Sequence, residues 1–500
     1  MVNSVMAALF VALVLASGCL AGTGVAPTST DASGARPIGP GSPTPLPSSP
    51  ARPAPVPSTH DGPTSPAPTP ASTTPNPGTP TSNPSVHFGP PTGIPGDANL
   101  ASVNVARSGD TLAACRATPH YAGQGPAARF FITRNATGWA EVLQPTGPTD
   151  ARNAFTNRGN DCDVAAGPDG SWYATDGWDA GFEVMSSGDG GLTWSLVTAA
   201  AGSLPAGPTG TTGRPIYVRP WLATGPGRTV HLVYRSFQDA VGRESNGIYY
   251  TRSDDGGAHF TAPVAAVTSH PGESTPNVPG NLAVSSDGLH LAFGYDLQGY
   301  GPPPTDALAV ATSGDGGKTW LSTRIGAWGT MADDSVARIA AGPDGLLHLV
   351  DTELGNGIPH VMYRSSGDQG ATWSAPLNLT ADGYGVAASV VADRAGAAAV
   401  TWYGMSPDGN GSAAGQPDRY LVWARLVSDG AQPGKMRFHT GLVDPALRPP
   451  GERRPLVGNI LLDAAGRMIV AWPGSALADG TSFHAFVQRQ DAGPTLGSGV

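Results

Sequence analysis

Charge is scarce in this sequence: Asp, Glu, Lys and Arg together make up 13% of its 500 residues. With 38 acidic against 28 basic residues the formal charge is −10, and no basic stripe or Lys/Arg cluster occurs. A nucleic acid needs a positive footprint, so it is not an expected partner. Acidity of this kind keeps an exposed surface soluble. Cysteine is rarer still, with three residues, at 19, 115 and 162, too few for a disulfide scaffold. Long apolar runs are missing as well. The run Val5 to Ala16 is too short to cross a bilayer and has the length of a signal-peptide core. No His/Cys metal motif, nucleophile elbow or phosphate-binding glycine loop is present. Glycine (69) and proline (50) are plentiful instead, the composition of a turn-rich all-β chain with a low-complexity segment.

The N-terminal fifth divides into a leader and a stalk. Leu15-Ala16-Ser17-Gly18-Cys19 resembles the lipobox of prokaryotic lipoproteins, which implies a signal peptide over 1–18 and a lipid on Cys19. The alternative is an ordinary secretory signal. Residues 19–96 then hold the lipidated cysteine and a Pro/Thr/Ser-rich linker with no aromatic residue before Phe88. Such a segment has nothing to bury and is expected to stay disordered. Its prolines favour an extended, semi-rigid spacer. The expected address is the extracytoplasmic cell surface, with a secreted protein as the alternative.

A repeat runs through the remainder. Ser187-Gly188-Asp189-Gly190-Gly191-Leu192-Thr193-Trp194 returns at Ser313 to Trp320 around Asp315, and at Ser366 to Trp373 around Asp368. A weaker copy surrounds Asp255 and ends at Phe260. The Asp of such a segment accepts hydrogen bonds from turn amides, its glycines supply positive φ, and its Trp wedges between strands. Asp189, Trp194, Asp255, Asp315, Trp320, Asp368 and Trp373 are therefore structural candidates. Upstream of each copy lie apolar strands around a Gly/Asp turn, such as Ala165-Ala166-Gly167-Pro168-Asp169-Gly170, which recurs at Ala340 to Gly345. Each unit reads as one four-stranded propeller blade. Repeat positions near 135, 189, 255, 315, 368, 429 and 491 predict seven blades over about 97–495. Six blades with an irregular terminus is the alternative. The last unit lacks a fourth strand, which Ser85-Val86-His87-Phe88 is placed to supply.

The repeat S-x-D-x-G-x-T-W resembles the Asp box of sialidases and of many non-enzymatic propellers. The resemblance implies a β-propeller whose ligand sits on the face away from the boxes. In sialidases it also implies three arginines on the substrate carboxylate, a Tyr/Glu nucleophile and an Asp acid/base. Here the first unit has no Arg-Ile-Pro-like motif, and Tyr403 and Tyr420 stand in no context that marks a nucleophile.

Geometry supplies the site candidates, because segments leading into innermost strands face the channel. They are Asp161, Asp163, Arg219, Trp221, Asp333, Asp334 and Arg454, with Asp97, Asn160, Asn281, Tyr384 and Arg453 beside them. Carboxylates, arginines and a Trp at a channel mouth suit a sugar or another charged small ligand. Alternatively, the same charges pair across the channel and only brace the ring. No cofactor is expected, although the paired aspartates are of the type that takes a hard cation such as calcium. The balance favours a surface-displayed binding or scaffold propeller with a glycan or other surface ligand. The alternative is an exo-acting glycoside hydrolase of sialidase type. With Cys19 in the leader, Cys115 and Cys162 fall at similar height on adjacent blades, and an exported domain oxidises such a pair.

Overall fold

The computed structural model describes residues 86–95, 102–117, 128–134, 138–142, 161–177, 182–199, 215–238, 247–268, 275–298, 307–327, 336–355, 358–380, 385–393, 395–405, 420–428, 437–444, 458–475, 483–493 and 495–496. All belong to the second of two units, Asn76–Val500. The lipobox, Cys19 and most of the stalk lie outside them.

The described strands form seven antiparallel sheets, each built on the same four-strand path. Blade 1 runs from Ser102–Ser108 to Ala140–Glu141, and blade 2 from Asp161–Ala166 to Ser195–Ala199. Blade 3 spans Pro215–Thr224 to Val264–Thr268. In blade 4 the innermost strand is split into Thr275–Pro279 and Ala283–Val284, and the blade ends at Leu321–Ala327. Blade 5 covers Arg338–Ala341 to Leu377–Asn378, and blade 6 Gly385–Ala392 to Arg437–Asp444. Blade 7 starts at Asn459–Leu462 and ends at Phe483–Ala492. Each innermost strand packs against the next, and that of blade 7 packs against that of blade 1. The fold is a β-propeller.

The ring is closed from the N-terminal side. His87–Phe88 and Thr92–Ile94 both pair with Phe483–Ala492 and complete blade 7 on its outer edge. Val86 and Ile94 are buried, Val86 against Tyr403 and Trp472. These strands precede residue 97, so the sheet takes up the last part of the stretch expected to be linker. An open edge would be a template for other chains, and closure removes it.

The repeated turns behave alike between the third and fourth strands of blades 2 to 5. Asp315 accepts from Ser313 Oγ (2.9 Å), the Thr319 amide (2.9 Å) and Thr319 Oγ1 (2.6 Å), and Asp189 and Asp368 accept from the matching groups. In blade 3 His259 replaces the Thr, and its ring meets Asp255 at 2.7 Å. The bonds from Thr193 and its neighbours hold Asp189 well below the usual carboxylate range. Trp194, Trp320 and Trp373 each donate their indole N–H to a turn glycine carbonyl. Trp320 also packs on Tyr250 and Phe293, at 5.2 and 5.3 Å. Gly317 (φ 87°) allows that approach: a Cβ there would lie 2.0 Å from the Tyr250 ring.

A second element repeats in blades 3 and 5. His231 shares a 2.7 Å hydrogen bond with Tyr250, and His348 a 2.6 Å bond with Tyr363. Both imidazoles are fully buried, with Nε2 lacking a partner. Burial pushes each down to about 4.

Candidate functional site

The innermost strands enclose a central cavity of about 300 Å³ to which all seven blades contribute. Its wall includes Asn104, Asp163, Trp221, Asn281, Arg338, Ser389 and Asn459, one from each blade in order. Two asparagines hold neighbouring blades together. Asn459 accepts from the Val105 amide (3.0 Å) and donates to the Val105 carbonyl (2.8 Å). Asn281 does the same with Ile339, at 3.0 and 2.8 Å. An amide side chain matches a peptide group with one acceptor and one donor. Asn104 makes a single such contact, donating to the Cys162 carbonyl at 2.8 Å.

Blade 2 places a carboxylate in this role. Asp163 accepts from the Leu222 amide of blade 3 at 2.8 Å and from the Val164 amide at 2.9 Å. Burial pushes its carboxyl up to about 7, against the lowering effect of those two amides and of the Arg338 charge.

Arg338 opens the innermost strand of blade 5 and is 4% exposed. Its guanidinium carbon lies 4.1 Å from the centre of the Trp221 ring, a cation–π contact. Its Nη2 is buried with no hydrogen-bond partner. Burial lowers this guanidinium to about 10, with Asp163 raising it and Arg219 lowering it further. Asp163 and the Trp221 ring thus offset part of the desolvation cost of this buried charge, while Nη2 keeps an unused donor. Trp221 is itself fixed by an indole bond to the Pro279 carbonyl of blade 4 at 2.8 Å. Trp221 is the platform under Arg338 and, at 4% exposure, has little face left for stacking a sugar.

Arg219 owes its position to a β-bulge. Pairing of its strand with Val230–Gln238 shifts between Val218 and Trp221, and Arg219 takes φ of 54°. A non-glycine residue in that region stores on the order of 1–2 kcal/mol, and such strain gathers at functional sites. Blade 6 has a related shift between Val386 and Ser389, with Ala387 at φ 51°.

Of the expected site residues, the fold brings Asp163, Trp221 and Asn281 to the cavity wall. Arg219 is close enough to oppose the Arg338 charge, and Asp161 opens the inner strand of blade 2. Asp333, Asp334 and Arg454 lie outside the described residues, as do Asp97, Asn160, Tyr384 and Arg453. Arg338, Asn104 and Asn459 were not foreseen. Arg338 stands out in hindsight as a lone charge in the apolar run Val336-Ala337-Arg338-Ile339. The bridging contacts recur at separations of 58 or 59 residues, a period that marks the positions. Among the described residues no group of three or more His, Cys, Asp or Glu is placed to hold a metal ion. Cys115 and Cys162 form a disulfide with Cα atoms 6.1 Å apart, joining blade 1 to blade 2 directly before Asp163. Tyr403 is buried and donates to the Pro473 carbonyl at 2.9 Å.

No family model matches the chain, and no curated protein matches its sequence. Solved structures similar to it are remote. An α-L-arabinofuranosidase of Fusarium graminearum in complex with arabinobiose is 13% identical, with a TM-score of 0.43, covering 82% of this chain and 97% of its own. A protein of unknown function from Dyadobacter fermentans is 14% identical, with a TM-score of 0.43, covering 83% and 100%. The intramolecular trans-sialidase of Ruminococcus gnavus, in complex with oseltamivir carboxylate, is 13% identical, with a TM-score of 0.40, covering 78% and 94%.

Proposed function

We propose that this chain is a binding propeller that holds a small anionic ligand, of the class of a carboxylate-bearing sugar, in its central channel. One observation carries the reading: Arg338 is buried on the cavity wall with Nη2 unpartnered. A guanidinium fork matches a carboxylate. The strained Arg219 and the oriented Trp221 support the same site. A cavity near 300 Å³ is at the small end for ligand sites and suits about one sugar ring. The leader, Cys19 and the Pro-rich stalk support display of this propeller at an extracytoplasmic membrane surface, held off by the spacer.

Binding is favoured over glycoside hydrolysis because the buried Tyr403 hydroxyl is already committed to Pro473, and Asp163 is tied to two backbone amides. Saturation-transfer NMR of the full chain tests the reading. N-acetylneuraminic, glucuronic and galacturonic acids are the charged probes, galactose and glucose the neutral ones. At least one acid should give transfer and the neutral sugars none. Transfer from the neutral sugars alone would remove the anion site. Turnover of a fluorogenic sialoside would move the chain to the hydrolase class.

A further inference from the structure

The channel residues divide by what their side chains already hold. They stand at one level of the ring: Arg338 lies three residues before the end of its inner strand at Ala341, Ser389 three before Ala392, and Asn281 three before Val284. Asn104 takes the same place on blade 1, because it precedes the bridged Val105 as Arg338 precedes the bridged Ile339. Asn281 and Asn459 spend both ends of their amides on the next blade, and Asp163 spends both carboxylate oxygens on backbone amides. Trp221 spends its indole N–H on Pro279. That leaves Arg338 Nη2, the Ser389 hydroxyl and the Oδ1 of Asn104. Ser389 and Asn104 are 4% and 2% exposed, and among the described residues no hydrogen bond engages either of these oxygens. Buried polar groups are nearly always paired, so open ones on a cavity wall point to a ligand.

The three groups lie on two sides of the channel. From blade 5 the Arg338 side chain reaches back past blade 4 to the Trp221 ring of blade 3. Ser389 belongs to blade 6 and Asn104 to blade 1, on either side of blade 7. In a ring of seven, blade 7 faces blades 3 and 4 across the channel. The cavity therefore has a cationic end and, opposite it, a neutral end with open oxygens. The same backbone device sets both ends in place. Strand pairing shifts directly before Trp221 and directly before Ser389, and the residue two places earlier has positive φ, 54° at Arg219 and 51° at Ala387.

We propose that Ser389, together with Asn104 Oδ1, recognises the hydroxyl-bearing end of the ligand, so that the channel selects hydroxylated acids over plain carboxylic acids of similar size. This rests on the anion-site reading above. A carboxylate on Arg338 leaves the far edge of a single ring toward blades 6 and 1, in a cavity of about 300 Å³. There a ligand hydroxyl donates to Asn104 Oδ1, and the Ser389 hydroxyl donates to, or accepts from, a second one. A ligand without hydroxyls leaves both protein groups buried and unpaired, and a site built to bond a hydroxyl rejects such an analogue. No bond of the ligand changes.

Ser389 is the residue to substitute, because Asn104 also carries a bridge to Cys162. The experiment is calorimetric titration of the full chain and of S389A at pH 7 with N-acetylneuraminic, glucuronic and galacturonic acids. Cyclohexanecarboxylic acid, with a ring and a carboxylate but no hydroxyl, is the comparison. The native chain should bind at least one sugar acid, and more tightly than cyclohexanecarboxylic acid. S389A should bind that sugar acid about tenfold more weakly, with no loss for cyclohexanecarboxylic acid. Its thermal midpoint should be no lower than that of the native chain, since no protein hydrogen bond is removed. Undiminished binding of the sugar acid by S389A would overturn the proposal and leave the anion site standing. So would an equal loss for both kinds of acid, or native binding of cyclohexanecarboxylic acid as tight as that of any sugar acid. A lower midpoint for S389A, or its failure to fold, would assign the hydroxyl to the fold and overturn the proposal as well. No binding of any of these acids by the native chain would bring down the anion site itself.

Discussion

The guanidinium carbon of Arg338 lies over Trp221, 4.1 Å from the ring centre, and the indole N–H of Trp221 donates to the Pro279 carbonyl at 2.8 Å. Three blades thus cooperate to hold one cation in the channel wall: blade 5 supplies it, blade 3 the ring beneath it, and blade 4 the anchor for that ring. A charge kept in this way without a hydrogen-bonded partner at Nη2 is a stability cost that a binding site tolerates.

R338M separates a binding role from a bracing role. Removing the buried guanidinium relieves its desolvation cost, and the Asp163 carboxyl, already pushed up to about 7 by burial, can become neutral when that cation is gone. The empty R338M protein should therefore melt no lower than the parent in a near-ultraviolet circular dichroism scan. A loss on the order of 3 kcal/mol or more, the usual cost of breaking a true buried pair, would show that the channel charges only brace the ring.

The Cys115–Cys162 bond fastens blade 1 to the strand that carries Asp163. Its sequence separation of 47 residues corresponds to about 4 kcal/mol in the chain-entropy account. Reduction should lower the thermal midpoint. In the unreduced, denatured protein, intact mass after alkylation should show no thiol at 115 or 162. Two alkylated cysteines at these positions, in protein made in an oxidising compartment, would contradict the pairing.

The buried imidazoles set a direction for acid sensitivity. His231 and His348 sit near 4 when folded, below the ordinary value of about 6.5. Between those values the unfolded chain binds more protons, so their contribution is present above about pH 6.5 and is lost as pH falls toward 4. Each contributes at most about 3 kcal/mol. Asp163, raised to about 7, works in the opposite sense over its own window. It does so in every protein compared. Urea unfolding at pH 7.5 and 4.5 should show a smaller acid loss in the double variant H231Q/H348Q than in the parent. Equal losses would mean that other groups govern the acid limb.

Much of the architecture was legible because the turn chemistry is local. A Ser, an Asp, two or three glycines and a Trp within eight residues specify one hairpin, and its recurrence, with a weaker copy at Asp255, marks blades 2 to 5. Ring closure was legible because the last unit is one strand short and Val86 and Phe88 alternate with polar residues just where a strand is needed. The channel was only half legible. Asp163 and Trp221 follow from position in an innermost strand, but bulges near Arg219, Pro279 and Ala387 shift the register. In blade 5 the reading took the acidic pair Asp333 and Asp334, which lie outside the described residues, and passed over Arg338 because it stands inside an apolar strand run. The bridges of Asn104 and Asn459 depend on which inner strand lies beside which, and that is a property of the closed ring.

The most direct test is calorimetric titration of the full chain and of R338M with N-acetylneuraminic acid and with its uncharged methyl ester at pH 6. The account predicts that the native chain binds the acid, that the ester binds at least tenfold more weakly, roughly the 1.4 kcal/mol or more expected from losing a charge-assisted contact, and that R338M binds neither. Equal binding of acid and ester, or undiminished binding of the acid by R338M, would contradict it.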